Sequence, residues 1–424
     1  MTGSTVQAGK RPTYPAYKPS GMDWVGDVPE HWEVRRLKHL ASVQFSSVDK
    51  HTIEDEEPVR LCNYVDVYYN DFIRDGIDFM AATATRSEID RFHLRHGDVL
   101  ITKDSEAWDD IAVPAYVAEE LDGVLCGYYL AHIRPDLRKV IGEYLFRAFR
   151  SRGVNDQFRV AANGITRFGL GKYWLDNGLF PVPPLHEQKT IAKFLDRETV
   201  RIDALIEKKQ RQIELLQEKR SALISHAVTK GLDPNAPTKD SGIEWLGQIP
   251  KHWEAHQIKR VARRIQTGCT PPTAEERYYE DGTVPWYGPG SFGTQIVLSE
   301  PVKLISQDAI RDGVARLFAV DSIMVVSIGA TIGKVGYLEH AASSNQQITA
   351  ITPDLRKVSG KFLAYQLKRL EPALRGTAPT TTLPIMDQQE VGNLPCAIPS
   401  VKEQQEIVRY LDTQSERIKM LLAR

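Results

Sequence analysis

A duplication divides this chain into two halves of one design. Residues 20–41 return as residues 241–262, with about ten of the twenty-two positions identical. Residues 135–140 return letter for letter as residues 353–358. Because these echoes keep their order, the duplication covers nearly the whole chain and is not one copied motif. Whatever fold the first half adopts, the second half must adopt it as well.

Between the shared segments the two copies differ sharply, for example in residues 42–96 against residues 263–319. Two copies of one scaffold with different surfaces indicate two related but different targets. This pattern is typical of a protein that recognises a target in two parts.

The bulk properties fit a soluble protein of two domains. The chain has 424 residues, of which 42% are hydrophobic and 26% charged, so each half can bury its own core. We find no run of some eighteen apolar residues and no apolar signal core in the first twenty, and we expect a cytoplasmic protein that avoids membranes. The four cysteines lack a metal or redox spacing, so we predict no metal site.

The net charge of −1 neither demands nor excludes a polyanionic partner. Phosphate binding needs a local basic face, and a cationic run between Leu137 and Arg159 is one candidate for it. A solvated helix face is the alternative interpretation of the same run.

Each half opens with the pattern Gly-x-x-Trp-x-Gly-x-x-Pro-x-His-Trp, in which glycine and proline favour turns and tryptophan can anchor the segment. We interpret His31 and His252 in this pattern as structural rather than catalytic. Strand-like runs follow, such as 59–67 and 97–101, and then a helical stretch over 141–150. Each domain is therefore predicted to mix strands with a few helices.

After Pro184, apolar residues recur at helical and near-heptad spacing as far as Ala227. Gly231 and Pro234 beyond it are typical of a helix end. We predict one helix of roughly 65 Å, which is long enough to act as a spacer. A shorter stripe after Ser400 predicts a second helix that pairs with the first.

Motifs for catalysis are missing from the sequence. We find no glycine-rich cofactor loop of a methyltransferase, no zinc-protease motif and no nucleophile elbow. The run Gly329-Ala-Thr-Ile-Gly-Lys334 is one residue too short for a phosphate loop, and Val335 follows where serine or threonine is needed. The chain is therefore predicted to be a binding subunit, with no catalytic residue.

These features together resemble the specificity subunit of type I restriction-modification enzymes. The resemblance rests on the two opening patterns, on Pro183-Pro-Leu-His-Glu-Gln188 before the long helix and on Ala227-Val-Thr-Lys-Gly231 at its end. It implies an α+β fold in which two tandem mixed α/β target-recognition domains are separated by long helices packed as an antiparallel coiled coil, with a pseudo-two-fold internal repeat. The domain limits that we expect are an arm at 1–19, recognition domains at 20–184 and 241–400, a central helix at 185–230, a linker at 231–240 and a distal helix at 401–424.

The resemblance also implies a function in prokaryotic defence. Each domain would bind one half of a split site on double-stranded DNA, with half-sites about 34 Å apart on one DNA face. Type I methyltransferase subunits, two in number, would bind the helices and methylate adenine with S-adenosylmethionine, while this chain binds no cofactor. A motor endonuclease subunit can join them. The helix residues expected to bind partners are Ile191, Leu195, Ile202, Ile213, Leu216, Leu223, Ile407, Leu411 and Ile418.

Polar residues in loops beside the strand runs are the candidates for base contact, because such side chains can enter a groove from a rigid support. Ordinary loop chemistry is the alternative for each of them. The candidates are Lys103, Ser105, Tyr128, Asn163, Thr166 and Arg167 in the first half and Ser327, Thr331, Lys334, Gln346, Gln347, Thr380 and Thr382 in the second.

One feature departs from the family pattern. The distal helix ends at Arg424, which aligns with Lys208, so this sequence has no counterpart of residues 209–230. Either the chain is cut there or its second half offers partners a shorter surface. Two other hypotheses stay open at this stage: a scaffold whose domains no longer bind DNA, and an enzyme with an unrecognised site.

Overall fold

The computed structural model describes residues 14–376 and 384–423. It divides the chain into two compact units, Met1–Leu205 and Ile206–Arg424. The division falls inside the long helix, so each unit includes part of that helix, whereas the predicted domain limits leave the helix out.

The first unit combines short strands with short helices. Its strands are β1 (Tyr17–Pro19), β2 (Asp27–Pro29), β3 (Glu33–Arg36), β4 (Ala41–Phe45), β5 (Glu57–Cys62), β6 (Phe72–Ile73), β7 (Met80–Ala84), β8 (Val99–Thr102), β9 (Asp104–Ser105), β10 (Pro114–Val117), β11 (Val124–Cys126), β12 (Leu130–Pro135), β13 (Phe168–Gly169) and β14 (Leu179–Val182). Its helices are α1 (Tyr64–Tyr69), α2 (Arg86–Phe92), α3 (Gly142–Arg150), α4 (Arg152–Ala161) and α5 (Lys172–Asn177), with 3-10 turns at Leu37–His39 and Trp108–Asp110.

A five-stranded sheet in the order β4-β12-β8-β10-β6 forms the centre of the first unit, and a second sheet has the order β11-β5-β7. All four residues of β8 are buried, as its unbroken Val-Leu-Ile run requires. Helix α3 begins at Gly142, where a Cβ would lie 2.1 Å from the Gly97 carbonyl oxygen, so only glycine allows this close approach. The helix covers the sheet with Leu145 and Phe149, both fully buried.

The predicted strand over residues 59–67 is wrong beyond Cys62. The chain turns at Asn63, whose backbone N–H donates to Asp66 Oδ2 at 2.7 Å, and then forms α1. This contact between residues three apart is a helix-start signal that outweighs the strand preference of the valines and tyrosines.

The long helix α6 spans Leu185–Lys230, a single helix of 46 residues. It is followed by Gly231, whose φ of +77° is a conformation that favours glycine. None of the helices in the described ranges is both long and apolar enough to cross a membrane.

The second unit repeats the arrangement. Its strands are β15 (Thr238–Asp240), β16 (Gln248–Pro250), β17 (Glu254–Gln257), β18 (Ala262–Thr267), β19 (Val284–Tyr287), β20 (Lys303–Ile305), β21 (Ile323–Val326), β22 (Val335–Tyr337), β23 (Ser343–Ser344), β24 (Ile348–Pro353) and β25 (Pro395–Ile398). Its helices are α7 (Ile258–Val261), α8 (Gln307–Arg311), α9 (Gly360–Lys368), α10 (Glu371–Gly376), α11 (Gln388–Asn393) and α12 (Val401–Leu422), with 3-10 turns at Glu276–Tyr278 and Pro289–Ser291.

The sheets of the two units correspond strand by strand, except that β6 is matched by an isolated parallel bridge between Val297 and Tyr337. The order β18-β24-β21-β22 answers β4-β12-β8-β10, and β20-β19-β23 answers β7-β5-β11. Gly360 at the start of α9 also meets a backbone oxygen, that of Asp321, as Gly142 meets Gly97. The predicted α+β class with two tandem copies and a long central helix is therefore confirmed.

Helix α12 runs antiparallel to the C-terminal part of α6 within the second unit. Gly231 lies beside Glu403, and Arg220 lines one cavity with Glu416, so the two helices pass each other in opposite directions. Ile224 and Val228 of α6 share one hydrophobic core with Ile407 of α12.

A carboxylate in the first turn of each long helix holds the opening motif of its unit. Glu187 accepts hydrogen bonds from Trp32 Nε1 at 3.0 Å and contacts His31 Nε2 at 2.7 Å. In the second unit Glu403 accepts from Trp253 Nε1 at 3.0 Å and contacts His252 Nε2 at 2.9 Å. The two histidines thus take part in a structural contact, which we call the clasp.

The next residue of each helix satisfies three backbone groups. Gln188 accepts from the Ile141 N–H at 3.0 Å and donates to the carbonyls of Lys139 and Pro183. Gln404 accepts from the Ser359 N–H at 2.7 Å and donates to the carbonyls of Lys357 and Pro399. Both glutamines are fully buried. Their bonds therefore fix the start of α6 against the segment before α3, and the start of α12 against the segment before α9.

We expect Glu187→Gln to lower the free energy of unfolding of the first unit by about 1–2 kcal/mol at neutral pH, since it removes the charge from the clasp. Burial alone raises the pKa of Glu187, but hydrogen bonds from His31, Trp32 and Tyr14 outweigh it and leave the pKa lowered. The clasp therefore contributes stability above the ordinary glutamate pKa, and loses it as the pH falls through the lowered value. Urea unfolding of wild type and variant over a pH series measures both effects.

Hydrogen exchange locates the effect. Glu187→Gln should speed amide exchange in residues 20–36 only, and Glu403→Gln in residues 241–257 only. Glu406→Gln, an exposed position on α12, is the matched control and should change neither. Equal exchange in all three variants would contradict a stabilising role of the clasp.

Candidate nucleic-acid interface

Most candidate residues of the first unit come together at one edge of its central sheet, where β8 ends and β12 begins. The Lys103 N–H donates to the Tyr129 carbonyl at 3.2 Å, and the Leu170 N–H donates to the Lys103 carbonyl at 2.8 Å. Strand β9 pairs with β13 just beyond. Three chain segments that are distant in sequence thus form one surface, which we call the first edge.

Lys103 is buried at this edge, and its position is fixed. Its Nζ lies 2.5 Å from Asp104 Oδ2 and above the rings of Phe45 and Tyr128, 5.5 and 4.8 Å from their centroids. Ser105 is also buried, with its hydroxyl 3.2 Å from that of Tyr64. These two candidates therefore support the surface, whereas Tyr128, half exposed, is part of it.

The loop 163–167 projects from the first edge. The Asn163 and Gly169 backbones exchange two hydrogen bonds at its base, and Gly164 has a φ of +155° with no room for a Cβ. Ile165 at the tip is 96% exposed, and Thr166 beside it is exposed. Arg167 lies over the Tyr129 ring, with its Cζ 4.3 Å from the ring centroid. A cation–π contact of this kind restricts the position of the guanidinium.

Beyond Tyr128, the sequence interpretation missed the aromatic side chains that α1 contributes at this edge. Tyr64 and Tyr68 stack with centroids 5.6 Å apart, and Tyr69 is 78% exposed. The Tyr68 hydroxyl donates to Asp110 Oδ1 at 3.1 Å, and this bond raises the pKa of Tyr68. The spacing of Tyr64 and Tyr68 by four residues would place both rings on one face of a helix. This signal was not used, because a strand was predicted over residues 59–67.

Charge at the first edge is balanced rather than basic. Lys103 pairs with Asp104, and a second carboxylate, that of Asp110, accepts a hydrogen bond from the Tyr68 hydroxyl. The six cations of the run between Leu137 and Arg159 pair with four neighbouring carboxylates, which offset part of their charge and favour the solvated-face interpretation. Its ion pairs are Arg138–Asp136, Lys139–Asp136, Arg147–Asp196, Arg150–Asp71, Arg152–Asp156 and Arg159–Asp156.

The second unit has an equivalent edge, where β21 ends and β24 begins. The Ser327 N–H donates to the Gln347 carbonyl at 2.8 Å, and the Met386 N–H donates to the Ser327 carbonyl at 2.8 Å. These are the bonds that Lys103 makes to Tyr129 and Leu170. We call this surface the second edge, and it shares the backbone of the first edge but not its side chains.

Polar groups replace the aromatic rings at the second edge. Gln346 is exposed and accepts from Thr270 Oγ1 at 2.6 Å, a partner that the sequence interpretation missed. Gln347 accepts from Asn345 Nδ2 at 2.9 Å. Ser327 is buried, with its hydroxyl 2.9 Å from Thr349 Oγ1.

The remaining candidates of the second unit do not join this group. Lys334 donates to the Phe292 carbonyl at 2.8 Å and lines a separate cavity, and Thr331 lies half-buried in the turn before it. Thr380 and Thr382 lie outside the described residues.

The residues predicted to bind partners differ in exposure along the two long helices. Ile202 and Ile213 are 54% and 41% exposed. On α12, by contrast, Ile407 and Leu411 are buried in the core of the second unit. Partner binding by these helices stays a prediction, and burial restricts the side chains that can take part in it. The others are Ile191, Leu195, Leu216 and Leu223, which are half-buried, and Ile418, which is buried.

Over the part of the chain that the structure describes, no group of three or more histidine, cysteine or acidic side chains is arranged to hold a metal ion. Burial raises the pKa of Cys126 well above its ordinary value and that of Cys396 to about 12. Both thiols are therefore neutral core side chains.

Comparisons with known proteins agree on one family. The model of the type I restriction modification DNA specificity domain matches residues 29–215 and 250–421. The type I restriction enzyme MjaVIII specificity subunit of Methanocaldococcus jannaschii is 25% identical over 398 residues, covering 91% of this chain and 86% of that protein.

Two solved structures share the fold. A chain in a structure of the type I R-M system has a TM-score of 0.71 at 19% identity and covers 93% of both chains. The HsdS subunit from Thermoanaerobacter tengcongensis has a TM-score of 0.56 at 20% identity, covering 93% of this chain and 91% of that one.

Proposed function

Because this chain belongs to the family of type I restriction modification DNA specificity domains, we propose that it selects the DNA site at which partner subunits act. The first unit binds one half of a split site through the first edge, and the second unit binds the other half through the second edge. The chain itself performs no chemistry. Methyltransferase subunits bring S-adenosylmethionine and methylate adenine, and a restriction subunit joins them for cleavage.

The observation that carries this proposal is the equivalence of the two edges. One backbone arrangement carries Tyr128 and Arg167, supported by the buried Lys103, in one unit and Gln346 and Gln347 in the other. Arginine pairs well with guanine, and glutamine with adenine, when they reach base edges in the major groove. Two surfaces with different donors and acceptors suit two half-sites of different sequence.

Phosphate contacts are expected elsewhere on the two units, since the first edge carries as many carboxylates as cations. Base contacts specify the sequence while phosphate contacts supply most of the affinity. A balanced edge therefore suits selection of bases more than general attraction to DNA. Carboxylates such as Asp104 can accept from the cytosine amino group, so they are compatible with base contact.

We expect Arg167→Met to weaken binding of the complete methyltransferase complex to its site by about 1–3 kcal/mol, and to relax the preference at one base pair of one half-site. Tyr129 holds the Arg167 guanidinium in place, so the substitution removes a donor group whose position is already ordered before DNA binds. Equilibrium binding to a panel of duplexes with single base changes measures both effects.

Two further variants test which half-site each edge contacts. Gln346→Leu should relax a position in the other half-site only. Arg138→Met is the matched control, because Arg138 is 87% exposed at the opposite end of β12, after Pro135. If Arg138→Met changes base preference as much as Arg167→Met does, the assignment of the first edge to DNA is wrong.

Exchange of a whole segment tests the two-part recognition itself. Replacing residues 42–161 by the corresponding segment of a relative should change one half of the methylated motif and leave the other half as it is. Long-read sequencing of N6-methyladenine in cells with and without the gene gives the motif directly. A methylation map that does not change when the gene is deleted would favour a scaffold that no longer binds DNA.

A further inference from the structure

A cavity of about 360 Å³ lies in the second unit, apart from the second edge. The C-terminal part of α6, the segment 292–294 and the region where α9 meets α10 enclose it. Four cationic side chains line this cavity, against one carboxylate, that of Glu371. The cations are Arg220, Lys334, Lys368 and Arg369.

Two of these cations carry buried donors that have no acceptor among the described residues. They are Nε of Arg220 and both Nε and Nη2 of Arg369. Arg369 uses only Nη1, which donates to the Trp245 carbonyl at 2.7 Å, and Arg220 has a long bond of 3.3 Å from Nη2 to Gln295. A buried guanidinium donor without an acceptor is unfavourable, so these atoms are poised for a ligand.

The single carboxylate is already engaged. Glu371 lies 2.9 Å from Lys368 Nζ, and its Oε1 accepts from the Val335 N–H at 2.7 Å. In the described ranges, Arg220, Lys334 and Arg369 have no acidic group within 4.0 Å. Burial lowers the pKa of Arg220, Lys368 and Arg369, as expected for cations held away from water.

We propose that this cavity binds an oxyanion of the phosphate class through Arg220, Arg369 and Lys334. Guanidinium groups match the geometry of a phosphate and form charge-assisted hydrogen bonds with it. The volume is in the range of small-molecule sites, and Ile224 and Pro372 add an apolar wall, which suits a phosphate carried on a small organic body. The proposal does not rest on recognition of DNA by the two edges.

The glycine-rich run before Lys334 does not contribute as a phosphate loop. Two of its backbone donors are already used, since the Gly333 N–H donates to the Val326 carbonyl of β21 and the Lys334 N–H donates to the Thr331 carbonyl. Only the Lys334 side chain reaches the cavity. One of its three donors is used by the Phe292 carbonyl, and the others remain for an anion.

Calorimetric titration of the full chain with inorganic phosphate, in chloride buffer of constant ionic strength, tests the proposal. We expect one saturable site per chain. Arg220→Met keeps the apolar stem but removes the charge. It should raise the dissociation constant for phosphate on the order of tenfold or more. Arg369→Met should do the same.

Arg211→Met is the matched control, since Arg211 lies on the same helix, is 60% exposed and pairs with Glu214. It should bind phosphate as the wild type does. Arg220→Lys, which restores a cation, should recover part of the affinity, and this separates loss of the site from loss of fold. Absence of a saturable site, or an equal loss in Arg211→Met, would overturn the proposal.

A second titration assigns the source of the phosphate. If a short DNA duplex at saturation abolishes phosphate binding to the wild type, the cavity holds a backbone phosphate of DNA. If phosphate binds equally with and without the duplex, the ligand is a free or small-molecule phosphate. Either outcome retains the site, and neither depends on which bases the edges contact.

Discussion

The fixed start of each long helix is the constraint on which the rest of the structure depends. Gln188 and Gln404 are fully buried, and each satisfies one backbone N–H and two carbonyls of its own domain. Removing such a side chain leaves three polar groups buried without partners, which costs more than the bonds themselves contribute. The clasp of Glu187 adds hydrogen-bond contacts to His31 and Trp32 one residue earlier. A helix of 46 residues thus begins at a position that its domain determines.

The domain order and the long helix could be predicted from the sequence because their signals are local. Turn residues and helical periodicity act locally, so Gly231 could be recognised as a helix end, and the duplication added a second copy of every signal. The contact of His31 with Glu187 joins residues 156 positions apart, and no local pattern contains it. The structural interpretation of the histidines followed from their place among turns, but their partner required the fold.

The candidate site was predictable only in part, and for a physical reason. Loops after strand runs could be selected from the sequence, and the structure places two of the selected residues, Lys103 and Gln346, at the first and second edges. The solvent exposure of each side chain could not be predicted, because it depends on packing by segments that are distant in sequence. Ser105 and Ser327 are buried, and Lys334 lines a cavity together with residues of α6. The tyrosines of α1 were missed because β-branched and aromatic residues prefer strands, and the contact between Asn63 and Asp66 overrides that preference over a single turn.

The two edges show how one scaffold can carry different side chains. At the equivalent positions Lys103 and Ser327, the backbone makes the same two hydrogen bonds, so the strand and loop positions do not depend on the side chain. Lys103 packs against the rings of Phe45 and Tyr128. Ser327 instead forms a hydrogen bond with Thr349, and Gln346 is the exposed side chain at that edge. Because these two bonds involve only backbone atoms, the edges can carry different side chains while the strand positions stay the same. The sheet order, the clasp and the helix start are thus common to the two copies, while the side chains at the edges differ.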